Sequence, residues 1–440
     1  MTRCNSSKAV SLRGNIFIPG DKSISHRSLI IASLAIGPST ISGILESEDV
    51  INTANALKSL GIRIESQNKN WIVHGSGVGG LTEPKKCIDC GNSGTSARLI
   101  IGLTTPYNFN TLISGDNSLS ERPMDRVILP MKKMGASFSY RENQKLPITV
   151  HGTKDPMPIN YLLPQASAQV KSAILIAGLH APGKTSVIEP SPSRNHTEIM
   201  LKNFGATILC EKDEKGKKIT IEGQTELKPS ILSIPGDFSS AAFFIVATLI
   251  TPNSEIKLTN IGTNPLRTGL IKTLNEMGAK IELTNPRTKG GEKISDIKVR
   301  SAKLKGVKIP ASRAASMIDE YPILCVAAAF AKGITFMDGL DELKVKESNR
   351  IITISKMLKS LGVDVTETTN SIHIKGKNGS LEPKTIIQTK NDHRIAMSAL
   401  VAGMGSSSRV EIDEVKSINT SFPGFIELAN SIGANIEIDS

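Results

Sequence analysis

Aromatic side chains are scarce in this 440-residue chain: one tryptophan, four tyrosines and eleven phenylalanines make up 4% of it. Single-stranded nucleic acid is gripped by stacking bases on such rings, so a polynucleotide surface has little to be built from. Runs of five or more basic residues are missing too, although Lys plus Arg outnumber Asp plus Glu by 53 to 41. The positive balance therefore points to small anionic partners. The cysteines Cys4, Cys87, Cys90, Cys210 and Cys325 are odd in number and scattered, which suits a reducing compartment. Cys87 and Cys90 form one C-x-x-C, but no second pair or histidine cluster would complete a tetrahedral metal site. No apolar run is long enough to cross a bilayer, and the opening MTRCNSSKAVSLRGN has no apolar core of an export signal. The expectation is a cytoplasmic chain of two or three domains, because one core rarely serves this length.

What the sequence does have is an internal repeat. A segment ending in an apolar residue and glycine, followed by a short alternating stretch, occurs as ALKSLGIRIE, PMKKMGASFS, MLKNFGATIL, TLNEMGAKIE, MLKSLGVDVT and LANSIGANIE. The glycines are Gly61, Gly135, Gly205, Gly278, Gly362 and Gly433, spaced 74, 70, 73, 84 and 71 residues apart. Helical apolar spacing precedes each one, placing the glycine at a left-handed C-cap. A second, nearly all-apolar helix recurs once per unit, as in SSAAFFIVATLI and HRIAMSALVAGMG; such helices are buried, and the amphipathic ones lie at a surface. The predicted unit is strand, buried helix, strand, amphipathic helix, strand, strand. The sixth unit stops short, and the alternating stretch AVSLRGNIFIPGD near the N-terminus is expected to complete it. That places both termini in one domain, 1–20 with 235–440, and makes 21–234 an inserted domain. The crossings fall at two near-identical corners, IPGDKS and IPGDFS.

Polar residues gather just before the helices: Asp21-Lys22-Ser23, Asn92-Ser93-Gly94-Thr95, Gln165-Ala166-Ser167, Asp319-Glu320 and Asn391-Asp392-His393-Arg394. Others precede the amphipathic helices, namely Glu121-Arg122-Pro123, Ser193-Arg194-Asn195-His196 and Lys346-Glu347-Ser348-Asn349-Arg350. Any single Ser, Asp or Asn there is explained by capping. Positive charge is not, since it opposes the helix dipole. Lys22, Arg27, Arg122, Lys346, Arg350 and Arg394 are thus expected to cost stability unless an anion joins them. The motifs GNSGT, NDHR and KESNR are weak singly and strong together.

The motifs IPGDKSISHR, DCGNSGTSARL, LSERPM, ASAQVKSA, PSRNHTE, IDEYPIL, VKESNRI, NDHRIAM and TSFPGF together resemble the EPSP synthase family, over essentially the full length and closest to its second bacterial class. The resemblance implies an α/β fold, a two-domain inside-out α/β barrel of six βαβαββ units, three per domain, with the active site in the cleft. It implies transfer of the enolpyruvyl group of phosphoenolpyruvate to the 5-hydroxyl of shikimate 3-phosphate, without metal or organic cofactor, in the chorismate route. By the same resemblance Lys22, Ser23, Arg27, Ser167, Gln169, Ser193, Asp319 and Lys346 would hold shikimate 3-phosphate. Lys22, Gly94, Arg122, Gln169, Arg350 and Arg394 would hold phosphoenolpyruvate. Asp319 would be the base, and Glu347 or Lys22 the proton donor. The domain with both termini would supply the phosphoenolpyruvate side and the carboxylates, and the inserted domain the shikimate 3-phosphate side. The expected partners are these small anions, with no nucleic acid and no membrane, for a monomer.

Two positions depart from the family's pattern. Thr420 stands where enteric members carry a lysine, so one phosphoenolpyruvate contact is expected to be missing or supplied elsewhere, and Ala168 replaces a serine of the shikimate 3-phosphate pocket, for which the nearby Arg194 or Lys171 would compensate. The sister UDP-N-acetylglucosamine enolpyruvyl transferases would show Lys-Asn at the first helix and a reactive cysteine near residue 115; the chain has Lys22-Ser23 and ISGDNSLSERP. A non-catalytic anion- or RNA-binding repeat protein is served poorly by four tyrosines and one tryptophan. Removal of Lys22 is expected to abolish turnover and leave melting temperature unchanged or higher.

Overall fold

The computed structural model describes residues 2–68, 70–379 and 381–439. The chain divides into two compact units: Met1–Pro19 with Pro235–Thr288 and Lys293–Ser440, and Gly20–Ile234 with Lys289–Glu292. Among the described residues each unit carries three small sheets, five of the six being four-stranded and one three-stranded. Each unit also has its own apolar core.

One repeat shows the plan. Helix Lys22–Ser33 is buried on every residue from Ile24 to Ser33 and leads into strand Ile36–Ser42. Helix Glu48–Ser59 buries Val50, Ala54 and Leu57 on one side, and the hairpin Arg63–Gln67 with Asn70–Ser76 follows. Ile231–Ser233 runs parallel to Ile36–Ser42, pairing Leu232 with Ile41, and Ile41 faces Trp71 on the antiparallel side. A helix apolar on all sides, such as Phe238–Ile250, must lie inside a shell of sheets; a one-sided helix covers that shell. At all six repeat glycines φ lies between +75° and +107°, a conformation that costs a side chain about 1–2 kcal/mol. The repeat is therefore visible in sequence because its turn admits little but glycine.

The strand that completes the sixth unit is not the expected one. Cys4–Ser7 pairs with Asn435–Ile438, Asn5 facing Glu437, and with Val410–Ile412, Asn5 facing Glu411. Arg13–Phe17, inside AVSLRGNIFIPGD, instead runs parallel to Glu255–Gly262 in another sheet. The sequence CNSS has no apolar alternation, but ladder bonds on both edges and burial of Cys4 and Ser6 make it a central strand. No described helix is long and apolar enough to cross a membrane, and no described cluster of His, Cys, Asp and Glu is arranged to hold a metal ion.

Candidate active-site residues

The inserted unit presents three helix starts. Asp21 caps helix Lys22–Ser33 by accepting from Ile24 N at 2.9 Å, and the Lys22 ammonium pairs with Asp49. Arg27, one turn on and 3% exposed, donates to Thr197 Oγ1 at 2.8 Å, to the Ser23 carbonyl at 3.0 Å and to Ser172 Oγ at 2.9 Å. Ser93 caps helix Gly94–Thr104 and Ser167 caps Ala168–Gly178. Arg122 donates to Asn92 Oδ1 at 2.7 Å and Ser118 Oγ at 3.2 Å. Gln169 donates to Thr95 Oγ1 at 2.9 Å and accepts from Arg98 Nη1 at 2.8 Å.

Arg98, which the sequence reading passed over, also reaches the Pro123 carbonyl at 3.1 Å and so ties the GNSGT turn, Gln169 and the ERP loop together. A Cβ on Gly94 would lie 2.8 Å from Arg98 Nη1 and 3.3 Å from Arg122 Nη1, so a side chain there would press on both guanidinium groups. Arg194 Nη1 approaches Ser23 Oγ at 3.4 Å, joining the PSRN turn to the first helix start. Lys171 does not take the compensating role expected of it. It is 0% exposed, and its ammonium faces Glu189 at 3.0 Å and Glu198 at 2.7 Å. The Ser193 hydroxyl donates to Glu189, so its proton is already committed.

The unit with both termini gathers the carboxylates. Asp319 Oδ1 accepts from Lys346 Nζ at 3.1 Å and lies 3.7 Å from Arg350 Nη1, while its carbonyl accepts from Arg394 Nη1 at 3.1 Å. Arg350 donates to Glu347 Oε2 at 2.5 Å, and through Nε to Asp392 Oδ2 at 2.9 Å. Burial works against charge on both Arg350 and Asp392, but the pairing outweighs it: the guanidinium is held charged more firmly than in water, and the Asp392 carboxyl is held below its usual range. Asp392 also caps helix His393–Gly405 and accepts from Ser348 Oγ at 3.0 Å. The dipole cost expected at Lys22, Lys346 and Arg350 is thus met by the protein's own Asp49, Asp319, Glu347 and Asp392. The sequence signal for Asp392 was the cap position alone, and Asp49 gave none. Arg350 Nη1 is buried without a hydrogen-bond partner among the described residues. Thr420 Oγ1 donates to the Ser417 carbonyl at 2.8 Å, closing its own 3₁₀ turn.

Each unit therefore concentrates cations and capped helix starts, groups of the kind that grip doubly charged phosphates and carboxylates, and the unit with both termini adds the paired carboxylates Asp319, Glu347 and Asp392. Residues 7–428 match the sequence profile of a family described as EPSP synthase (3-phosphoshikimate 1-carboxyvinyltransferase). A 3-phosphoshikimate 1-carboxyvinyltransferase from Paramagnetospirillum magneticum is 50% identical over 438 residues, 99% of this chain and 98% of that one. One from Chelativorans sp. is 50% identical over 435 residues, 98% of this chain and 97% of that one. The solved structure of EPSP synthase from Acinetobacter baumannii has a TM-score of 0.86 at 40% identity, covering 100% of both chains. With the profile spanning both units and half the residues shared over the full length, the chain belongs to the EPSP synthase family.

Proposed function

We propose that the protein transfers the enolpyruvyl group of phosphoenolpyruvate to the 5-hydroxyl of shikimate 3-phosphate, giving 5-enolpyruvylshikimate 3-phosphate and inorganic phosphate in chorismate biosynthesis. The observation that carries this reading is Asp319, whose carboxylate meets Lys346 and Arg350 while its carbonyl meets Arg394. A base standing among three cations suits a hydroxyl that must lose its proton beside a phosphate and a carboxylate.

In the addition step the 5-oxygen bonds to C2 of phosphoenolpyruvate, Asp319 takes the hydroxyl proton, and C3 receives a proton from Glu347 or Lys22. In the elimination step the C2–O bond to phosphate breaks, a C3 proton leaves, and the enol ether remains. Atoms and charge balance with phosphate as the leaving group and no redox change. Arg122, Arg350, Arg394, Lys22, Gln169 and Gly94 hold phosphoenolpyruvate; the buried Nη1 of Arg350, which among the described residues makes no hydrogen bond and has only Asp319 Oδ1 at 3.7 Å, supports this. Lys22, Ser23, Arg27, Ser167, Gln169, Ser193, Lys346 and Asp319 hold shikimate 3-phosphate, Ser193 from the turn that also presents Arg194. In this reading the unit with both termini is the phosphoenolpyruvate side with the carboxylates, and the inserted unit is the shikimate 3-phosphate side. The protein acts as a cytoplasmic monomer on these anions, without metal or organic cofactor.

Phosphate release from phosphoenolpyruvate, measured with shikimate 3-phosphate and separately with UDP-N-acetylglucosamine, tests the assignment. Release with shikimate 3-phosphate alone is expected; release with the UDP-sugar alone would overturn the acceptor and keep the chemistry. Glu347→Gln and Lys22→Arg, assayed for solvent-deuterium incorporation at C3, decide which group is the donor.

A further inference from the structure

Lys171, Glu189 and Glu198 sit inside the inserted unit at 0%, 1% and 3% exposure, and the steps above use none of them. They come from three elements: Lys171 lies one turn into helix Ala168–Gly178, Glu189 ends strand Lys184–Glu189, and Glu198 lies in the first turn of helix His196–Asn203. Both oxygens of Glu189 are used, Oε2 by the Lys171 ammonium and Oε1 by the Ser193 hydroxyl. The same ammonium reaches the Ser193 carbonyl at 3.5 Å. Ser193 is therefore held at its side chain and its main chain by one buried cluster. Arg194 follows directly and lies within 3.4 Å of Ser23 Oγ. Burial of one cation with two carboxylates is expensive, and apolar residues of similar volume commonly serve stability as well or better. Stability alone does not account for the cluster, whereas its bonds to Ser193 have an obvious positional effect.

We propose that Lys171, Glu189 and Glu198 are positioning residues, a buried clamp that fixes the Ser193–Arg194 turn against the Ser167–Gln169 helix start so that Arg194 meets the anionic group of the acceptor. The proposal rests on the reading of this unit as the shikimate 3-phosphate side. Lys171 belongs to the same helix as Ser167 and Gln169, so a single ammonium sets the spacing of two acceptor-binding segments. Glu198 fixes the helix that follows the turn, and the turn is thereby pinned at both ends. Burial pushes the Glu189 carboxyl up from its ordinary range, which fits a cluster holding more acid than base.

The test uses the full chain in three forms. Glu189→Gln keeps one of the two acceptor oxygens, for Ser193 or for Lys171; Glu189→Ala removes both; Lys171→Met/Glu189→Leu/Glu198→Leu replaces the clamp with apolar volume. Hydrogen exchange of the 191–196 amides without ligand is expected to rise about ten-fold in Glu189→Ala and in the triple variant, and by a smaller factor in Glu189→Gln. The dissociation constant for shikimate 3-phosphate should weaken about ten-fold in the same two variants, with KM for phosphoenolpyruvate within about two-fold. Unchanged exchange in the triple variant, or equal losses for both substrates, would overturn the clamp. So would a triple variant that cannot fold, since the cluster would then be a stability element. If the wild type binds no shikimate 3-phosphate while exchange still rises, the clamp stands and the acceptor reading falls.

Discussion

After Asp21 at the first Ile-Pro-Gly-Asp corner comes Lys22; after Asp237 at the second comes Phe238, which is 0% exposed. The backbone device is the same at both. A Cβ on Gly20 would lie 1.9 Å from the Gly43 carbonyl oxygen, and one on Gly236 would lie 2.9 Å from Ile261 and 3.2 Å from the Ile18 carbonyl oxygen. Each aspartate then caps a buried helix, Asp21 through Ile24 N and Asp237 through Ser239 N. Charge is handled differently. Asp237 takes Arg267 Nη2 at 2.9 Å, and the same nitrogen reaches Ser239 Oγ at 3.0 Å, all of it buried. Lys22 pairs with Asp49 but keeps 17% of its side chain exposed. The turn and the cap are the same at both corners, and only the first is followed by a partly exposed ammonium.

Exchanging the two residues should separate these roles most sharply. Lys22→Phe is expected to lower kcat by about 10²–10⁴-fold, because a proton donor or substrate cation is lost. The bond to Asp49 revises the sequence-based expectation for stability: losing it should cost roughly 1–3 kcal/mol, seen as a lower melting temperature. Phe238→Lys has the opposite profile. An ammonium replaces a ring with no access to water, for a loss of roughly 3–5 kcal/mol in chemical denaturation, with kcat of the folded fraction near wild type. A Phe238→Lys protein of normal stability would mean that the corners are interchangeable and that the contrast is accidental.

Arg267→Met comes next. Asp237 keeps its cap bond from Ser239 N but loses the Arg267 guanidinium, and a broken buried pair costs roughly 3 kcal/mol. Restoration by Arg267→Met/Asp237→Asn would show that charge and not side-chain volume is responsible. Gly94→Ala is milder. Its methyl group would press on Arg98 and Arg122, so KM for phosphoenolpyruvate should rise about ten-fold while the dissociation constant for shikimate 3-phosphate moves little. A variant in which both move together would remove Gly94 from the residues that hold phosphoenolpyruvate.

How much of this was legible beforehand depended on whether a residue's role is local. The six glycines announced the repeat because a left-handed turn is satisfied by the residue itself. Caps such as Asp21, Ser93, Ser167 and Asp392 were readable for the same reason, each bonding within its own first turn. Asp49 and Arg98 were not, because their partners lie 27 and 71 positions away, a pairing that no local pattern encodes. Lys171 misled for a related reason. Beside Gln169 it reads as a site cation, but two residues on a helix stand about 200° apart, so when Gln169 faces Thr95 and Arg98 the Lys171 side chain turns into the core. Cys4–Ser7 was invisible because strands in the middle of a sheet can be held by the backbone alone.

Acidification extends the comparison from the corners to the two units. In the inserted unit His26 is buried with Nδ1 2.7 Å from Thr53 Oγ1, and burial, followed by Lys22 and Arg27, drives its imidazole well below the ordinary value of 6.5. His180, beside Tyr107 and Gly79 N, is lowered by burial to about 4. A group with a depressed folded pKa leaves the unfolded chain holding more protons, so stability is complete above pH 6.5 and is lost as pH falls towards 4. For His180 the loss is on the order of 3 kcal/mol by pH 4. Glu189, raised by burial, acts in the opposite sense below its own pKa and offsets part of that loss. In the other unit the responsive groups are carboxylates: Asp296, at about 2, and Asp392, held low by Arg350, keep their contribution until pH falls below the ordinary 3.8. Hydrogen exchange resolved by unit, at pH 7 and at pH 5, should show slow amides of Gly20–Ile234 losing protection first, and His180→Asn should shrink the difference. Equal loss in both units at pH 5 would leave the buried imidazoles without a measurable part in the acid response.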